Sequence, residues 1–149
     1  MNAWAAGAVT LGDDDNGTAL FTATGLLPGS TGSNCIRVTY AGTVTSTVRL
    51  FATSVTGSLA GDVDLVVEQG NGAGNTGGFG SCTGFSGTEI YSGTLAAFPT
   101  AYGTGRGSFA PTANGQYAVY RFTYTLNASA PTARQGTSAG AAFRWESRS

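Results

Sequence analysis

Apolar and polar residues alternate along most of this chain, which is the pattern of β-strands that bury one face. The alternation is clearest in five segments, residues 34–40, 43–51, 62–68, 116–126 and 141–147. In the third of these, Val63, Leu65 and Val67 share one face, and mostly charged residues occupy the other. Residues 6–11 and 18–24 are shorter strand candidates near the start. The pattern therefore predicts roughly seven to nine strands.

No segment of helical length shows the 3.6-residue period, so we expect an all-β protein. Strands at these spacings are typical of an antiparallel β-sandwich. A chain of 149 residues is large enough to bury a core in one domain without a metal. Two glycine-rich segments, residues 70–87 and 99–115, are predicted to be long surface loops, because glycine weakens both helices and strands.

The composition argues against catalysis. The chain has no histidine, and all seven of its basic residues are arginines, so it has no lysine either. Enzymes usually need a group that titrates near neutral pH, and histidine is the commonest. Without these residues, serine nucleophiles lack an activating base. We therefore expect a structural or adhesive protein with no catalytic residue and no cofactor.

Acidic residues offer two candidate sites. Asp13 and Asp15 resemble the start of a calcium-binding loop, but Gly17 stands at its fifth position instead of its sixth, and the twelfth position is not a glutamate. A calcium site of another geometry is one interpretation, and a solvated turn of Asp, Asn and Gly residues is the other. Asp62 and Asp64 share one strand face. Paired carboxylates serve glycosidases, but we do not expect this pair to be catalytic.

The charge and hydropathy of the chain exclude two classes of partner. The formal net charge is −1, and no basic face of the kind that binds nucleic acid is visible. No apolar run approaches the ~20 residues that a membrane-spanning helix needs. We therefore expect neither a nucleic-acid partner nor a membrane span.

The two cysteines, Cys35 and Cys82, are predicted to form a disulfide. Cys35 lies at the start of a strand candidate, and Cys82 lies in a glycine-rich loop that needs a tether. Such a bond would indicate an oxidising, extracellular environment. The alternative is a pair of buried free thiols that pack as small apolar side chains.

Several short motifs follow one another in order along the chain: "AGAVTL", "ALFTATGLLPG", "CIRVTYAGTVTSTVRLF", "FGSCTGF", "IYSGTLAAFP" and "YRFTYTL", with the ending "FRWES". This order resembles the TasA/camelysin-type secreted proteins of Gram-positive bacteria, and in particular a short, disulfide-bearing actinobacterial branch. The resemblance covers nearly the whole chain. It implies a jelly-roll-like β-sandwich that polymerises into extracellular fibres. In that family, an N-terminal strand of one subunit completes a sheet of its neighbour.

The N-terminal residues suit such a donated strand, because they are apolar, uncharged and small. We expect a donor segment in residues 1–11 and a sandwich domain in residues 12–149. The predicted donor strand consists of Asn2, Ala3, Trp4, Ala5, Ala6, Gly7, Ala8, Val9, Thr10 and Leu11, with Trp4 and Val9 as anchors. Since lysine is absent, isopeptide bonds cannot link the subunits. The expected partner is therefore a second copy of the chain, in a non-covalent head-to-tail homopolymer at the cell surface.

A monomeric secreted module that binds carbohydrate or acts as an adhesin is the alternative function. It would use the two loops at residues 70–87 and 99–115. Exposed aromatic side chains in or near these loops, Tyr91, Tyr102 and Phe109, could stack on sugars. The other interpretation is that they cap the ends of the sandwich.

Overall fold

Nine strands form from the described part of the alternating chain. The computed structural model describes residues 7–13, 19–42, 44–71, 75 and 81–148, with side chains from Leu26 onward. The strands are β1 (Gly7–Asp13), β2 (Ala19–Leu26), β3 (Thr31–Thr39), β4 (Thr47–Thr56), β5 (Val63–Asn71), β6 (Thr88–Thr94), β7 (Arg106–Phe109), β8 (Tyr117–Leu126) and β9 (Ser138–Arg148). Four short 3₁₀ turns join them, at Ser58–Asp62, Leu95–Ala97, Tyr102–Thr104 and Thr132–Arg134.

The strands form two sheets. The five-stranded sheet has the order β2-β1-β9-β4-β7, and the four-stranded sheet has the order β3-β8-β5-β6. The sheets pack face to face, so the predicted all-β sandwich is confirmed. The jelly-roll connectivity itself stays a prediction.

The core lies between the sheets and is built by the alternation seen in the sequence. The inward face of β8 carries Tyr120, Phe122 and Leu126, all with no exposed surface. Phe143 of β9 packs against Phe122 with ring centroids 4.8 Å apart. The largest fully buried side chains are Tyr120, Phe122, Phe143, Leu50, Leu59, Leu65, Leu95, Leu126, Val63 and Val67.

The predicted disulfide is confirmed: Cys35 and Cys82 are bonded, with their Cα atoms 5.2 Å apart. Cys35 pairs with Arg121 in the β3–β8 ladder, on the outer face of the four-stranded sheet. Phe85 lies 4.9 Å from the Arg121 guanidinium. Cys82 and Phe85, in the described part of the glycine-rich loop, therefore contact this outer face. Val119, which sequence periodicity places outward, has no exposed surface.

The structure differs from the sequence pattern in two places. The segment 99–115, predicted to be a surface loop, contains β7, and Phe109 at the end of that strand is buried in the core instead of exposed.

The second difference is the start of β4. Val44 belongs to the alternating segment 43–51, but β4 begins only at Thr47, and Val44 is 58% exposed. The hydroxyl of Tyr40 donates a hydrogen bond to the Val44 carbonyl at 2.5 Å and contacts the Ser46 hydroxyl at 2.9 Å. This hydrogen-bonded turn takes the place of the first residues of the expected strand.

Candidate functional site

Strand β1 occupies a position between β2 and β9, inside the five-stranded sheet. It pairs with β2 in antiparallel fashion and with β9 in parallel fashion. Among the strands that the structure describes, β1–β9 is the one parallel pairing. β2 therefore runs antiparallel to β9. β1 lies between these two strands, whose directions would allow them to form an antiparallel pair with each other.

The β1–β2 ladder is irregular. Its register shifts between Gly7 and Val9 and again between Leu11 and Gly12, within a strand of seven residues. Gly12 pairs with Ala19, so the chain reverses direction between these two residues. By contrast, the β1–β9 ladder runs without a shift from Ala8 opposite Ser138 to Asp13 opposite Phe143.

Strand β9 is longer than the β1 ladder beside it. The ladder ends at Phe143, whereas β9 continues to Arg148. We call residues 144–148 the β9 extension. One edge of the extension pairs with β4, from Arg144 opposite Phe51 to Arg148 opposite Thr47. No strand of the described chain pairs with its other edge, which leaves backbone N–H and C=O groups open for another strand.

A groove of about 340 Å³ lies at this open edge, between the two sheets. We call it the edge groove. The β9 extension contributes Trp145 and Ser147, and the facing wall comes from β3 and the turn after it. The full lining is Ile36, Arg37, Val38, Thr39, Tyr40, Ala41, Val48, Phe109, Trp145 and Ser147. The groove thus combines an apolar base with hydroxyl groups.

Two buried polar atoms near the edge groove have no hydrogen-bond partner among the described residues. They are Nε1 of Trp145 and the hydroxyl of Tyr120. The two rings are in contact, with centroids 5.4 Å apart. Burial raises the pKa of the Tyr120 phenol well above its usual range, since the phenolate would lose its solvation. A buried donor without an acceptor costs free energy, and native structures contain few of them.

The charge of Arg144, at the open edge, also has no counter-charge among the residues that the structure describes. Arg144 has no hydrogen bond, ion pair or ring contact with the described residues, in contrast to the other six arginines. Phe143 and Trp145 face the core, so strand alternation directs Arg144 to the outer face. Arg148, also on that face, pairs with Glu146 at 2.5 Å. An anionic group beside Arg144 would therefore be favoured.

The structure describes only the second half of the predicted donor strand. Gly7 to Leu11 lie in β1, paired within the same chain. Residues 2–6, which include the predicted anchor Trp4, lie outside the described residues. The predicted donor segment ends at Leu11, but β1 continues to Asp13, so the ladder crosses the expected boundary between segment and domain.

The acidic candidates have separate positions. Asp15 lies outside the described residues, and of Asp13 only the backbone, at the end of β1, is described. Asp62 forms an ion pair with Arg134 at 2.9 Å. Asp64 accepts a hydrogen bond from the Asn127 amide at 3.0 Å. In the described ranges, no three metal-binding side chains come together.

The two predicted loops border a second cleft, of about 760 Å³. Its lining consists of Asn71, Phe109, Ala110, Asn114, Gly115, Gln116 and Tyr117. The guanidinium of Arg37 lies 4.1 Å from the centre of the Tyr117 ring and covers one of its faces. Amide side chains beside an aromatic ring are groups that small-molecule sites use.

Sequence reasoning missed the edge groove and the β9 extension. The segment "FRWES" indicated a strand, but not that one edge of its second half is open, because register is a tertiary property. The one available signal was Trp145 next to three charged residues near the end of the chain.

Within the described residues, the only helical elements are short 3₁₀ turns, and none has the length or apolarity to span a membrane. Comparison with known protein families, curated proteins and solved structures finds no match to this chain.

Proposed function

We propose that this chain is the structural subunit of a non-covalent extracellular filament, such as a biofilm matrix fibre or surface appendage. Residues 2–11 of one copy take the β1 position, between β2 and β9, in the next copy. The proposal includes no catalytic activity and no cofactor. The disulfide supports an oxidising, extracellular location.

The position of β1 is the observation that carries the proposal. β1 is the first strand of the described chain, and it overlaps the N-terminal segment that the resemblance implies is donated. The same segment from a second copy offers the same backbone groups to β2 and β9. Exchange therefore preserves the ladder hydrogen bonds, as in other swapped assemblies.

The remaining chain retains a core without β1. Buried apolar side chains from Leu26 to Phe143 form one contiguous core cluster by themselves, and β9 keeps its ladder with β4. A copy that has donated its β1 is thus expected to remain folded. Head-to-tail donation does not close on itself, and its product is an open filament. The order of motifs that resembles TasA/camelysin-type proteins supports the same assembly.

Negative-stain microscopy and sizing chromatography of the full chain over a range of concentrations test the proposal. We expect filaments, and we expect a variant without residues 2–11 to be a folded, soluble monomer. A variant with residues 2–11 replaced by Gly and Ser controls for chain length and should also stay monomeric. Filaments that persist after the deletion would contradict strand donation.

The alternative function is a monomeric module that binds carbohydrate or acts as an adhesin. The cleft of about 760 Å³ between the two loops favours it, because Asn71, Asn114 and Tyr117 line that cleft. A monodisperse species of about 15 kDa at all concentrations, with glycan binding lost in Tyr117→Ala, would support this function over filament formation.

A further inference from the structure

Three of the seven arginines lie together on the outer face of the five-stranded sheet. Arg144 and Arg148 belong to the β9 extension, and Arg49 belongs to β4. Core residues alternate with them along both strands, so the three side chains point away from the core. One acidic residue of the described strands, Glu146, lies on the same face, opposite Arg49. We call these four residues the arginine patch.

The register places the charges of the patch close together. Because Arg49 lies opposite Glu146, it is a diagonal neighbour of both Arg144 and Arg148, with Cβ atoms about 7 Å apart. Arg144 and Arg148 are about 13 Å apart along β9, at about 3.3 Å per residue. Three guanidiniums thus surround one carboxylate, and the four residues carry two excess positive charges.

Tyr102 orients two of these guanidiniums. The centre of its ring is 4.2 Å from the guanidinium of Arg148 and 5.3 Å from that of Arg49. Its hydroxyl donates to the Thr47 carbonyl of β4 at 2.8 Å, which holds the ring against the sheet. Arg49 also donates to the Gly103 carbonyl at 3.3 Å. The patch is therefore largely arranged before any ligand arrives, which lowers the entropic cost of binding.

Most N–H groups of the patch are still available to a ligand, since a guanidinium has five of them. Arg148 uses its Nε–H on Glu146, and Arg49 uses an Nη1 N–H on Gly103. Arg144 forms no hydrogen bond or ion pair with the part of the chain that the structure describes. Both Arg144 and Arg148 are exposed, so an anion can reach them from solvent.

We propose that the arginine patch binds a linear anionic polysaccharide whose sugar rings carry carboxylates, which we call the uronate polymer. A guanidinium forms two parallel hydrogen bonds with a carboxylate, so arginine suits this group well. Each sugar ring of the polymer carries one carboxylate. Neighbouring carboxylates are thus separated by a distance comparable to that between neighbouring arginines.

The strength of this binding rests on the proposed filament. Exposed ion pairs are individually weak and are screened by salt. A filament repeats the patch in every subunit, so one polymer chain can contact many copies at a high effective concentration. Filament formation therefore turns a weak site into a tight one, and the filament would hold the polymer in the matrix around it.

Two other classes of partner fit the patch less well. Protein interfaces depend on apolar anchors, but the exposed large apolar side chains of the described chain, Leu27 and Val44, lie outside the patch. Phe51, opposite Arg144, is buried. Single-stranded nucleic acid stacks its bases on aromatic rings, and a base would have to compete with two guanidiniums for the ring of Tyr102.

Binding of the full chain to immobilised polygalacturonate, under conditions in which filaments form, tests the proposal. We expect saturable binding that weakens about tenfold or more between about 50 and about 500 mM NaCl, because salt screens exposed charges. Dextran is the neutral control polymer and should not bind. Single-stranded DNA with the same number of charges should bind less tightly. Equal or tighter binding of the DNA or of dextran would overturn the assignment of the uronate polymer.

Variants of the patch provide the second arm. Arg144→Gln/Arg148→Gln should lower the affinity for polygalacturonate about tenfold or more. Arg37→Gln is the matched control, because Arg37 also lies over a tyrosine ring, 4.1 Å from that of Tyr117, but on the outer face of the four-stranded sheet. It should have little effect.

The Glu146→Gln variant should act in the opposite direction. It removes the carboxylate of the patch and frees the Nε–H of Arg148, so the affinity should rise about twofold or more. A variant that merely unfolds the chain cannot give this gain. Unchanged or weaker binding by Glu146→Gln would contradict the proposal.

The outcomes separate the polysaccharide site from strand exchange. Filaments that do not bind polygalacturonate, or that bind it equally after Arg144→Gln/Arg148→Gln, would overturn the site and leave strand exchange intact. A chain that stays monomeric at every concentration would overturn strand exchange. Weak binding by that monomer, lost in the double arginine variant, would still support the site.

Discussion

Asn75 and Ser86 are joined by two hydrogen bonds that close the base of the glycine-rich loop. The Asn75 side-chain amide donates to the Ser86 carbonyl at 2.8 Å, and the Ser86 N–H donates to Oδ1 of Asn75 at 3.1 Å. The amide thus acts as a peptide group would in a strand pair. Tyr117 donates to the Asn75 carbonyl at 3.0 Å, which connects the loop to β8.

Replacing this amide should destabilise the fold. In Asn75→Asp, both side-chain oxygens are acceptors, so one of them faces the Ser86 carbonyl without a proton between them. Since Asn75 is only 7% exposed, we expect a loss of about 1–3 kcal/mol in the free energy of unfolding. Urea titration measures it. Asn114→Asp, at an exposed position, is the control, and an equal loss there would refute the assigned role of Asn75.

Removing the Tyr120 hydroxyl should stabilise the protein. The hydroxyl is buried with no hydrogen-bond partner among the described residues, and the Tyr120→Phe substitution eliminates this desolvated group while keeping the ring. We expect a gain of about 1 kcal/mol near neutral pH. Tyr91→Phe is the matched control: Tyr91 donates to the Thr94 carbonyl at 2.6 Å, so its loss should destabilise. Thermal unfolding measures the change in stability of both variants, and a destabilised Tyr120→Phe would contradict the prediction.

The raised pKa of Tyr120 predicts a loss of stability in alkali. In the unfolded chain a tyrosine ionises near pH 10, whereas burial raises the pKa of Tyr120 in the folded protein. Above about pH 10 the unfolded state therefore binds fewer protons than the folded state, and the free energy of unfolding falls as pH rises. Below that pH this residue adds no pH dependence. Unfolding at pH 8–11 should show a smaller decrease for Tyr120→Phe; identical slopes would contradict the assignment.

The disulfide should contribute strongly to stability. Its cysteines are 47 residues apart. A cross-link of that span stabilises by about 4 kcal/mol in the chain-entropy model, which corresponds to a melting temperature roughly 10 °C higher. Cys82→Ser tests the cross-link alone. Cys35→Ser should lose at least as much, since Cys35 is fully buried and the new hydroxyl would be desolvated there. Calorimetry that finds an unchanged melting temperature would show that the bond adds no stability.

Trp4 is predicted to anchor the donated strand. Loss of an aromatic anchor typically costs about 2 kcal/mol or more at an interface, so Trp4→Ala should raise the critical concentration for assembly by roughly 30-fold. Trp4→Phe keeps an aromatic ring and should have a smaller effect. Light scattering against concentration measures both. Equal critical concentrations for Trp4→Ala and the unmodified chain would exclude Trp4 as an anchor.

Much of the fold could be predicted from the local sequence. Val63, Leu65 and Val67 are fully buried, as the two-residue period predicts. The prediction needs only local sequence, because successive side chains of a strand point to opposite faces of the sheet. The disulfide was also predictable, because the chain has only two cysteines. The strand predicted at Val44 was wrong, because a side-chain hydrogen bond from Tyr40 to the Val44 carbonyl holds this residue in a turn.

The open edge of β9 could not be read from the sequence. "FRWES" indicates a strand regardless of what lies beside it, and the end of the β1 ladder at Phe143 depends on where two distant segments meet. Likewise, the exposure of Arg144 and the burial of the Trp145 indole N–H, which has no acceptor in the described part of the chain, exist only once the sheets are packed. Alternation along one chain thus determined the strands and their faces. Register between chain segments is set by long-range packing, and it alone decided which edge of the described β9 has no partner strand.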